Sequence, residues 1–442
     1  MAGKQPLKRS MLGLEVEVFT LDSSGKVIFE ADKLINRIKE KEKGIDIQKE
    51  CARNMVELGS FPSVQVPNTI DTLLKNFESL LLTAEDHDMV IFPLGTYPGK
   101  FTPDMRLEGN YKIKKGVFGK KRFEIAGRCI GFHCHYALPW GVFDQQNLTI
   151  KKLLDSKNKQ SLIDSHNLLI ALDPVLTTFM QSSPFYQGRF IGKDSRLIVY
   201  RGGKRLRYPE GLYTKYQLFG ALQKYKQTGT DLTNYISNKH VHWKNILTRA
   251  GFSAKVLSSY GSILDTNWNP VKVNSHGTLE QRGMDMNHPL LILGISTFIK
   301  NILQKVQQEF IKVVPSDTGL KEPFKLEGKA MYIPPDSHVR GELQRASAYE
   351  GLDNNRIYQY CKRALKLVKQ LTPKDESKFI VPFENMLSSR QTVSDELLLE
   401  AKKKGYKKQD ALPQKVAAEL ALNHSKRLFK EIVLTRKLIQ NA

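Results

Sequence analysis

Polar and apolar side chains alternate in three separate stretches of the chain. Because residues i and i+2 of a β-strand project from the same face, this alternation predicts strands with one polar and one apolar face. The predicted strands cover residues 11–20, residues 125–136 and the segment around residue 280. The polar pairs on these strands are Glu15 and Glu17, His133 and His135, and Glu280 and Arg282.

Two interpretations of these pairs are open from the pattern alone. A half-buried strand with one solvent-exposed face shows the same alternation, and two histidines can simply lie on an exposed strand. If the three strands share a sheet, however, one face gathers carboxylates, imidazoles and a guanidinium. Such a combination is typical of a site for hard cations and phosphate.

The remaining periodicity predicts further strands and several amphipathic helices. Short apolar runs predict strands at residues 55–59 and 90–95. In the predicted helical segments apolar residues recur every three to four positions, and these segments are residues 27–42 (after a short strand), 69–86, 148–180, 287–313, 354–371 and 411–440. The chain is therefore expected to contain both strands and helices.

A single acid and a basic segment add candidates to the paired residues. Glu57 is the only charged residue in the predicted strand 55–59, and it lies either on the outer face or in the site. Residues 189–207 are rich in basic side chains, which include Lys193, Arg196 and Arg201. Arginines clustered on a loop suit the binding of carboxylate or phosphate, although a solvated basic loop is equally common.

Composition excludes several classes of protein. The net charge of +23 at pH 7 could serve nucleic acid, an anionic surface or an acidic substrate. No basic motif interleaved with aromatic residues and no helix-turn-helix signature is present, so a specific nucleic-acid partner is not expected. The sequence shows no membrane span and no signal peptide. Four cysteines without paired spacing predict reduced thiols in a cytoplasmic protein, with Cys134 in the core.

Five ordered segments together form a more specific pattern than any one of them. They are Gly13-Leu-Glu-Val-Glu-Val-Phe19, Met55-Val-Glu57, Gly131-Phe-His-Cys-His135, the Ser-Pro-Phe segment at residues 182–188 with Ser195-Arg196, and Gly277-Thr-Leu-Glu-Gln-Arg282. In this order they resemble the glutamate–cysteine ligase family 2, the carboxylate–amine ligases related to glutamine synthetase. The resemblance extends from about Met11 to Asp285.

The resemblance implies an α+β fold of the glutamine-synthetase type, in which a curved antiparallel sheet packs on helices. It also implies ATP-dependent joining of a carboxylate, first of all that of glutamate, to an amine. The residues implied as ligands of magnesium or manganese ions are Glu15, Glu17, Glu57, His133 and Glu280. His135 would face the ATP phosphates, and Arg282 would stabilise the phosphoryl group during its transfer.

The residue types fit this chemistry. Transfer of the ATP γ-phosphoryl group activates a carboxylate as an acyl phosphate, and metal ions and arginine stabilise the charge without a protein nucleophile. Arg196 and Glu57 are predicted to act in catalysis with Arg282, and Lys193 and Arg201 to bind the cofactor. No Walker loop is present, so phosphate binding must come from metal ions, histidine and basic side chains.

The chain departs from the family pattern in two places. Val16 stands where the first motif usually carries a third acid, but its side chain is expected to face away from the acidic pair. The family often has a Trp-Trp-Asp-x-Arg-Pro stretch before the last acid. Here residues 260–270 keep only Asp265, Trp268 and Pro270 and lack the arginine. Residues from about Phe324 onward have no match.

These observations predict a catalytic domain at residues 11–395 and a lysine-rich helical tail at residues 396–442. The expected partners are small-molecule carboxylate and amine substrates, without a membrane, and a homodimer is left open. One alternative is a phosphotransferase of the phosphagen-kinase type, which would release the phosphorylated intermediate as its product. Another is a basic nucleic-acid-binding or regulatory protein on a decayed scaffold, against which the intact acids and histidines argue.

Overall fold

The computed structural model describes residues 10–151 and 156–441 of the chain. The strands are β1 (Leu12–Asp22), β2 (Ile47–Lys49), β3 (Met55–Gly59), β4 (Met89–Phe92), β5 (Gly131–Ala137), β6 (Phe143–Asp144), β7 (Thr149–Ile150), β8 (Phe185–Tyr186), β9 (Arg189–Phe190), β10 (Val271–Asn274), β11 (Thr278–Asp285), β12 (Lys312–Pro315), β13 (Lys325–Glu327) and β14 (Ala330–Ile333). The helices are α1 (Ala31–Lys41), α2 (Val66–Glu85), α3 (Gly109–Phe118), α4 (Lys120–Phe123), α5 (Lys157–Phe179), α6 (Ser195–Arg201), α7 (Gln217–Gly220), α8 (Gly229–Arg249), α9 (Pro289–Glu309), α10 (Asp317–Lys321), α11 (Asp336–His338), α12 (Gln344–Glu350), α13 (Asn355–Leu371), α14 (Val381–Ser389), α15 (Val393–Lys403) and α16 (Gln414–Gln440).

A seven-stranded sheet forms the centre of the fold. Its strand order is β10-β11-β5-β1-β3-β2, with β4 also paired to β1, and all of these pairs are antiparallel. A smaller sheet has the order β12-β14-β13. The mixed α+β class with an antiparallel main sheet is confirmed, and the curvature of the glutamine-synthetase type stays a prediction.

Alternation along the strands separates the core from the polar face of the sheet. In β1, Leu14, Val16 and Val18 are buried in the hydrophobic core, so Val16 does face away from the acidic pair as expected. In β5, Cys134 is buried in the same core and carries a free thiol. The residues at the alternate positions, such as Glu15 and Glu17 of β1, therefore project together from the opposite face of the sheet.

Helices α2, α5 and α9 pack against the strands of the main sheet, and α9 also packs against both α2 and α5. Helix α9 is apolar and long enough to cross a membrane by length and composition alone, but 83% of its most apolar 18-residue window is buried inside the protein. Burial of this kind is what the core helix of a folded domain shows. Most of the expected helices are present, with bounds shifted by a few residues.

Several predicted elements need correction. The histidine strand does not begin at residue 125, because Ala126–Arg128 form a 3-10 turn and β5 starts at Gly131. The helix expected over residues 287–313 ends at Glu309, and Lys312–Pro315 form a strand. The expected helical block 148–180 begins as a helix only at Lys157, and residues 152–155 lie outside the described residues.

The carboxyl-terminal helices pack on the rest of the fold. Helix α16 contacts α2, α9 and β4, and the predicted boundary at residue 396 falls inside α15. Between them, residues 402–405 and 407–408 are exposed, as expected for a solvated lysine-rich linker, whereas Tyr406 is buried. The division into a catalytic domain and a tail at residues 396–442 therefore stays a prediction. The last helix of that predicted tail, α16, packs against β4 of the sheet and against α2.

Candidate active site

Strand register brings the predicted polar residues together on four adjacent strands. Glu17 lies opposite Glu57 across the β1–β3 pair, and Glu15 lies opposite His133 across the β1–β5 pair. His135 in turn lies opposite Glu280 across the β5–β11 pair. Side chains directly opposite one another on antiparallel strands are close neighbours. The i, i+2 pairs found in the sequence thus form one continuous cluster.

The carboxylate of Glu15 lies between the two imidazoles. Its Oε2 atom is 3.1 Å from Nδ1 of His133 and 3.3 Å from Nε2 of His135. Burial by itself would raise the pKa of Glu15, but attraction to His135 and hydrogen bonds with both histidines hold that pKa well below its usual range. Burial likewise opposes a charged His135, yet Glu15 and Glu280 raise its pKa. Glu15 is therefore an ionised carboxylate at neutral pH.

A second group of acids lies beside the first. Ligand oxygens of Glu17, Glu50 and Glu57 all lie within 4.8 Å of one another. Burial and the charge of Glu50 raise the pKa of Glu17 to about 8, although Arg196 acts in the opposite direction. Burial and the three neighbouring acids raise the pKa of Glu57 well above its usual range. A divalent cation between them would relieve this repulsion.

Glu280 carries the opposite shift because basic side chains surround it. Its carboxylate oxygens lie 3.2 Å from Nζ of Lys272 and 3.3 Å from a guanidinium nitrogen of Arg282, and Asn274 donates a hydrogen bond to it. Burial opposes ionisation, but Lys272 and Arg282 hold the pKa of Glu280 well below its usual range. Glu280 is thus a buried, ionised carboxylate on the β11 side of the cluster.

The donor set fits the divalent ions implied by the resemblance. Glu15, Glu57 and His133 place ligand atoms within 4.8 Å of one another, as do Glu15, His135 and Glu280. The buried Nε2 atom of His135 faces the carboxylate of Glu15 at 3.3 Å, so both belong to the second of these groups. Carboxylate oxygens with one imidazole are ligands suited to Mg²⁺ or Mn²⁺.

Arg196 reaches this cluster because residue 131 is a glycine. A Cβ atom at Gly131 would collide with the guanidinium of Arg196, and the backbone N–H of Gly131 donates to Oε2 of Glu17 at 2.6 Å. Arg196 also donates to the carbonyl of Arg282 at 3.4 Å. One cavity is lined by the cluster and by these cations, with aromatic side chains on its far wall; its lining includes Glu17, His133, Arg196, Tyr200, Tyr213, Trp268 and Arg282.

The Ser-Pro-Phe segment connects β11 to the helix that carries Arg196. The backbone N–H of Ser182 donates to Asp285 at the end of β11, and the hydroxyl of Ser183 accepts from the N–H of Arg196. Asp194 caps the helix by accepting from the N–H of Leu197 at 2.7 Å. The basic segment is therefore not a plain loop as predicted, since its central residues Ser195–Arg201 form α6.

The other two predicted cofactor-binding cations are already engaged. Arg201 lines the cavity, but its guanidinium binds the carboxylate of Asp173 through two hydrogen bonds of 2.6 and 2.8 Å. Lys193 is not among the lining residues of the cavity, and its ammonium pairs with Asp353 and Asp395. The structure gives both side chains structural ion pairs, and their role toward a nucleotide stays a prediction.

Three residues next to the cluster were missed from the sequence. Glu50 follows the short strand β2 in a mixed-charge segment, so no alternation singled it out. Lys272 and Asn274 lie on β10, whose pairing with β11 sets Lys272 directly opposite Glu280. Their i, i+2 spacing is the same signal that marked the other pairs, and it could have identified β10 as a fourth polar strand.

Comparison with known proteins identifies the class of enzyme to which this chain belongs. The sequence model of the glutamate–cysteine ligase family 2 matches residues 11–288, which is more than half of the chain. The match and the site together define an enzyme of the carboxylate–amine ligase kind. The chain belongs to glutamate–cysteine ligase family 2, as the five segments had indicated. No curated protein matches the sequence.

Two solved structures are similar in fold. The glutamate–cysteine ligase from Francisella tularensis in complex with AMP is 13% identical with a TM-score of 0.56, over 97% of this chain and 96% of that one. The bifunctional glutathione synthetase from Pasteurella multocida is 13% identical with a TM-score of 0.56, over 95% of this chain and 52% of that one. The chain therefore spans about half the length of the bifunctional enzyme, and at such identity the similarity concerns the fold.

Proposed function

We propose that this protein is an ATP-dependent ligase that joins the γ-carboxylate of glutamate to an amine, with Mg²⁺ or Mn²⁺ as its ion. The observation that carries the proposal is the continuous cluster on β3, β1, β5 and β11, which faces a cavity that Arg196 and Arg282 also line. Family membership supports the reaction class, and the AMP complex of the Francisella tularensis ligase supports an adenine nucleotide.

The acids and histidines would hold the metal ions. The proposed ligands are Glu15, Glu17, Glu50, Glu57, His133 and Glu280. When bound, such ions neutralise phosphate oxygens and stabilise the charge of phosphoryl transfer. The protein contributes the alignment, because each carboxylate is fixed by strand register or by a named neighbour. His135, whose Nε2 atom lies 3.3 Å from Oε2 of Glu15, is proposed to face the phosphates of ATP.

Two of the three arginines that line the cavity, Arg196 and Arg282, would each contact a different part of the substrates. Arg282 lies next to Glu280 and faces the cavity, so it is placed to meet the phosphoryl oxygens as charge develops on them. Arg196 lies between Gly131 and Tyr200 and offers a guanidinium to a carboxylate group of the amino-acid substrate. Lys193 and Arg201 are left out of this assignment because carboxylates already neutralise them.

The reaction balances without a protein nucleophile. A carboxylate oxygen of the substrate attacks the γ-phosphorus of ATP, and the bond to the β-phosphate oxygen breaks to release ADP. The neutral amine then attacks the acyl carbon, phosphate leaves with the electron pair of the carbon–oxygen bond, and the nitrogen loses its extra proton to the departing phosphate or to solvent. The protein fixes the partners in line and withholds water from the acyl phosphate.

A substrate screen tests the proposal. The purified protein is incubated with MgATP, glutamate and a panel of amines and amino acids, and ADP release and peptide products are measured. The proposal expects ADP release that needs both a carboxylate and an amine, with a product containing a new amide bond. Release of a stable phosphorylated product without an amine would instead support a phosphotransferase, and no turnover with any pair would refute the ligase.

A further inference from the structure

Lys239 on helix α8 is a buried cation with an unusual set of partners. The residue is only 1% exposed, and its ammonium contacts the side-chain oxygens of Asn267 and Asn269. The rings of Tyr235 and Phe219 lie 4.9 and 5.9 Å from the same nitrogen. Within residues 10–151 and 156–441, no carboxylate forms an ion pair with Lys239.

The loop held by Lys239 forms one wall of the active-site cavity. Trp268 and Pro270 both line that cavity, and the flanking asparagine side chains point back to α8. The carbonyl of Pro270 accepts a hydrogen bond of 2.8 Å from the backbone N–H of Arg282. The ring of Trp268 packs against Tyr213 and Trp243. Residues 267–270 thus connect Lys239 to the cavity and to β11, the strand that carries Arg282.

The same loop is where the chain departs from its family. The family stretch Trp-Trp-Asp-x-Arg-Pro places an arginine directly before the proline, and here Asn269 precedes Pro270. The family pattern therefore lacks its arginine in the present chain, and a lysine from another element contacts the side chains of Asn267 and Asn269 in this loop.

We infer that Lys239 takes over the place of the missing arginine as a positioning residue that fixes residues 267–270 and sets Trp268 in the cavity wall. An ammonium has three donors, and here two of them donate to the side-chain oxygens of Asn267 and Asn269. Those oxygens also accept from the backbone N–H of Asn269 and from the hydroxyl of Tyr235, so Lys239 completes a hydrogen-bond network that includes both ends of the loop. Burial, Lys272 and Lys226 lower the pKa of Lys239, and a neutral amine can still donate both hydrogen bonds. The consequence for substrate rests on the proposed function, whereas the position of the loop does not.

Hydrogen exchange measures the loop directly. Lys239→Met keeps the length and the apolar stem of the side chain and removes its donors. Amide exchange of residues 264–272, followed by mass spectrometry on the full chain, is expected to speed up by about tenfold or more because the loop opens locally. The matched control is Lys226→Met, since Lys226 is also buried and lies 3.8 Å from the ring of Tyr235. Unchanged exchange in Lys239→Met would refute the inference.

A charge swap tests the substitution itself. Asn269→Arg in the native background should destabilise the loop, because two cations would then be buried side by side. Combined with Lys239→Ala, which vacates the space, Asn269→Arg should restore slow exchange to within about threefold of the native chain, since coupled residues are not additive. If the double variant exchanges as fast as Lys239→Ala alone, Lys239 does not replace the arginine.

The consequence for the cavity is tested by steady-state kinetics once an amine substrate is known. Lys239→Met should raise the KM for the amine more than it lowers kcat, and the swapped double variant should recover both values. A general loss of structure would not be rescued by the swap. Should Lys239→Met fail to fold, Lys239→Gln keeps a donating NH2 group on a shorter side chain and is expected to show intermediate exchange. The exchange and rescue experiments need no turnover. They therefore test this inference even if the ligase proposal fails.

Discussion

The guanidinium of Arg196 occupies the space in which a side chain at Gly131 would lie. The same glycine donates its backbone N–H to Glu17, so one residue without a side chain serves both an acid of the cluster and an arginine of the cavity. A cavity that needs an acid and a cation in contact with one backbone position has little tolerance for added atoms.

Gly131→Ala should therefore displace Arg196 and reduce turnover by about tenfold or more, because a misplaced binding group costs orientation in the transition state. Binding of Mg²⁺ should change much less. Gly341→Ala is the matched control, since a Cβ atom there meets nothing within 4 Å and its φ is not positive. Steady-state kinetics and calorimetry separate the two effects. Equal turnover in both variants would contradict the contact between Arg196 and the Gly131 backbone.

Glu50 should be needed for metal binding although no pattern in the sequence marked it. Glu50→Gln is expected to weaken Mg²⁺ binding by roughly tenfold, the scale seen when a group next to a bound metal is lost. In the metal-free protein at a pH above about 8, where Glu17 is ionised, the same change should raise the melting temperature, because a repelling carboxylate is gone. Glu40→Gln, a change at an exposed acid, is the control. If Glu50→Gln changed the melting temperature equally with and without metal, Glu50 would not share a metal ion with Glu17 and Glu57.

Metal binding should release protons below about pH 8. Burial and Glu50 raise the pKa of Glu17 to about 8, so Glu17 holds a proton at neutral pH without metal, and burial with nearby acids also raises the pKa of Glu57. A bound ion requires the ionised forms, so affinity should rise as the pH rises from 6 to 8. Titration calorimetry in two buffers of different ionisation enthalpy counts the protons. Affinity that falls as the pH rises from 6 to 8 would contradict these shifts.

Glu280 and Arg282 should separate binding from chemistry. Glu280→Ala is expected to weaken metal-dependent ATP binding and abolish turnover, because a ligand of the ion is lost. Arg282→Ala should leave ATP binding within a few-fold and cut turnover by about a hundredfold or more, since an arginine that acts on developing charge matters mainly in the transition state. Isothermal titration with a non-hydrolysable nucleotide provides the binding constants. Full turnover in Arg282→Ala would remove its assigned role.

The sequence predicted the members of the cluster better than their arrangement. Glu15 with Glu17, His133 with His135 and Glu280 with Arg282 were visible because a strand repeats every two residues. Which pair faces which depends on register between strands far apart in sequence, such as Glu17 opposite Glu57, and no local pattern encodes that.

Errors arose where tertiary contacts overrode local signals. The apolar residues before Gly131 predicted a strand, yet Ala126–Arg128 form a 3-10 turn, in which Gly127 lies so close to Met105 that a Cβ atom would collide with it. The basic segment read as a loop, although Asp194 caps a helix that carries Arg196 and Arg201. Lys193 and Arg201 looked free in sequence because their carboxylate partners, including Asp173 and Asp395, come from other helices.

Trapping of the activated carboxylate tests the central claim most directly. The protein is incubated with glutamate, MgATP and hydroxylamine, and γ-glutamyl hydroxamate is measured with ADP. The account predicts hydroxamate and ADP in equal amounts, both lost on adding EDTA and both reduced about a hundredfold or more in Arg282→Ala, as expected for a lost charge stabiliser. Neither product from glutamate or any other carboxylate, with the metal-loaded protein shown to bind ATP, would contradict the assignment as a carboxylate–amine ligase.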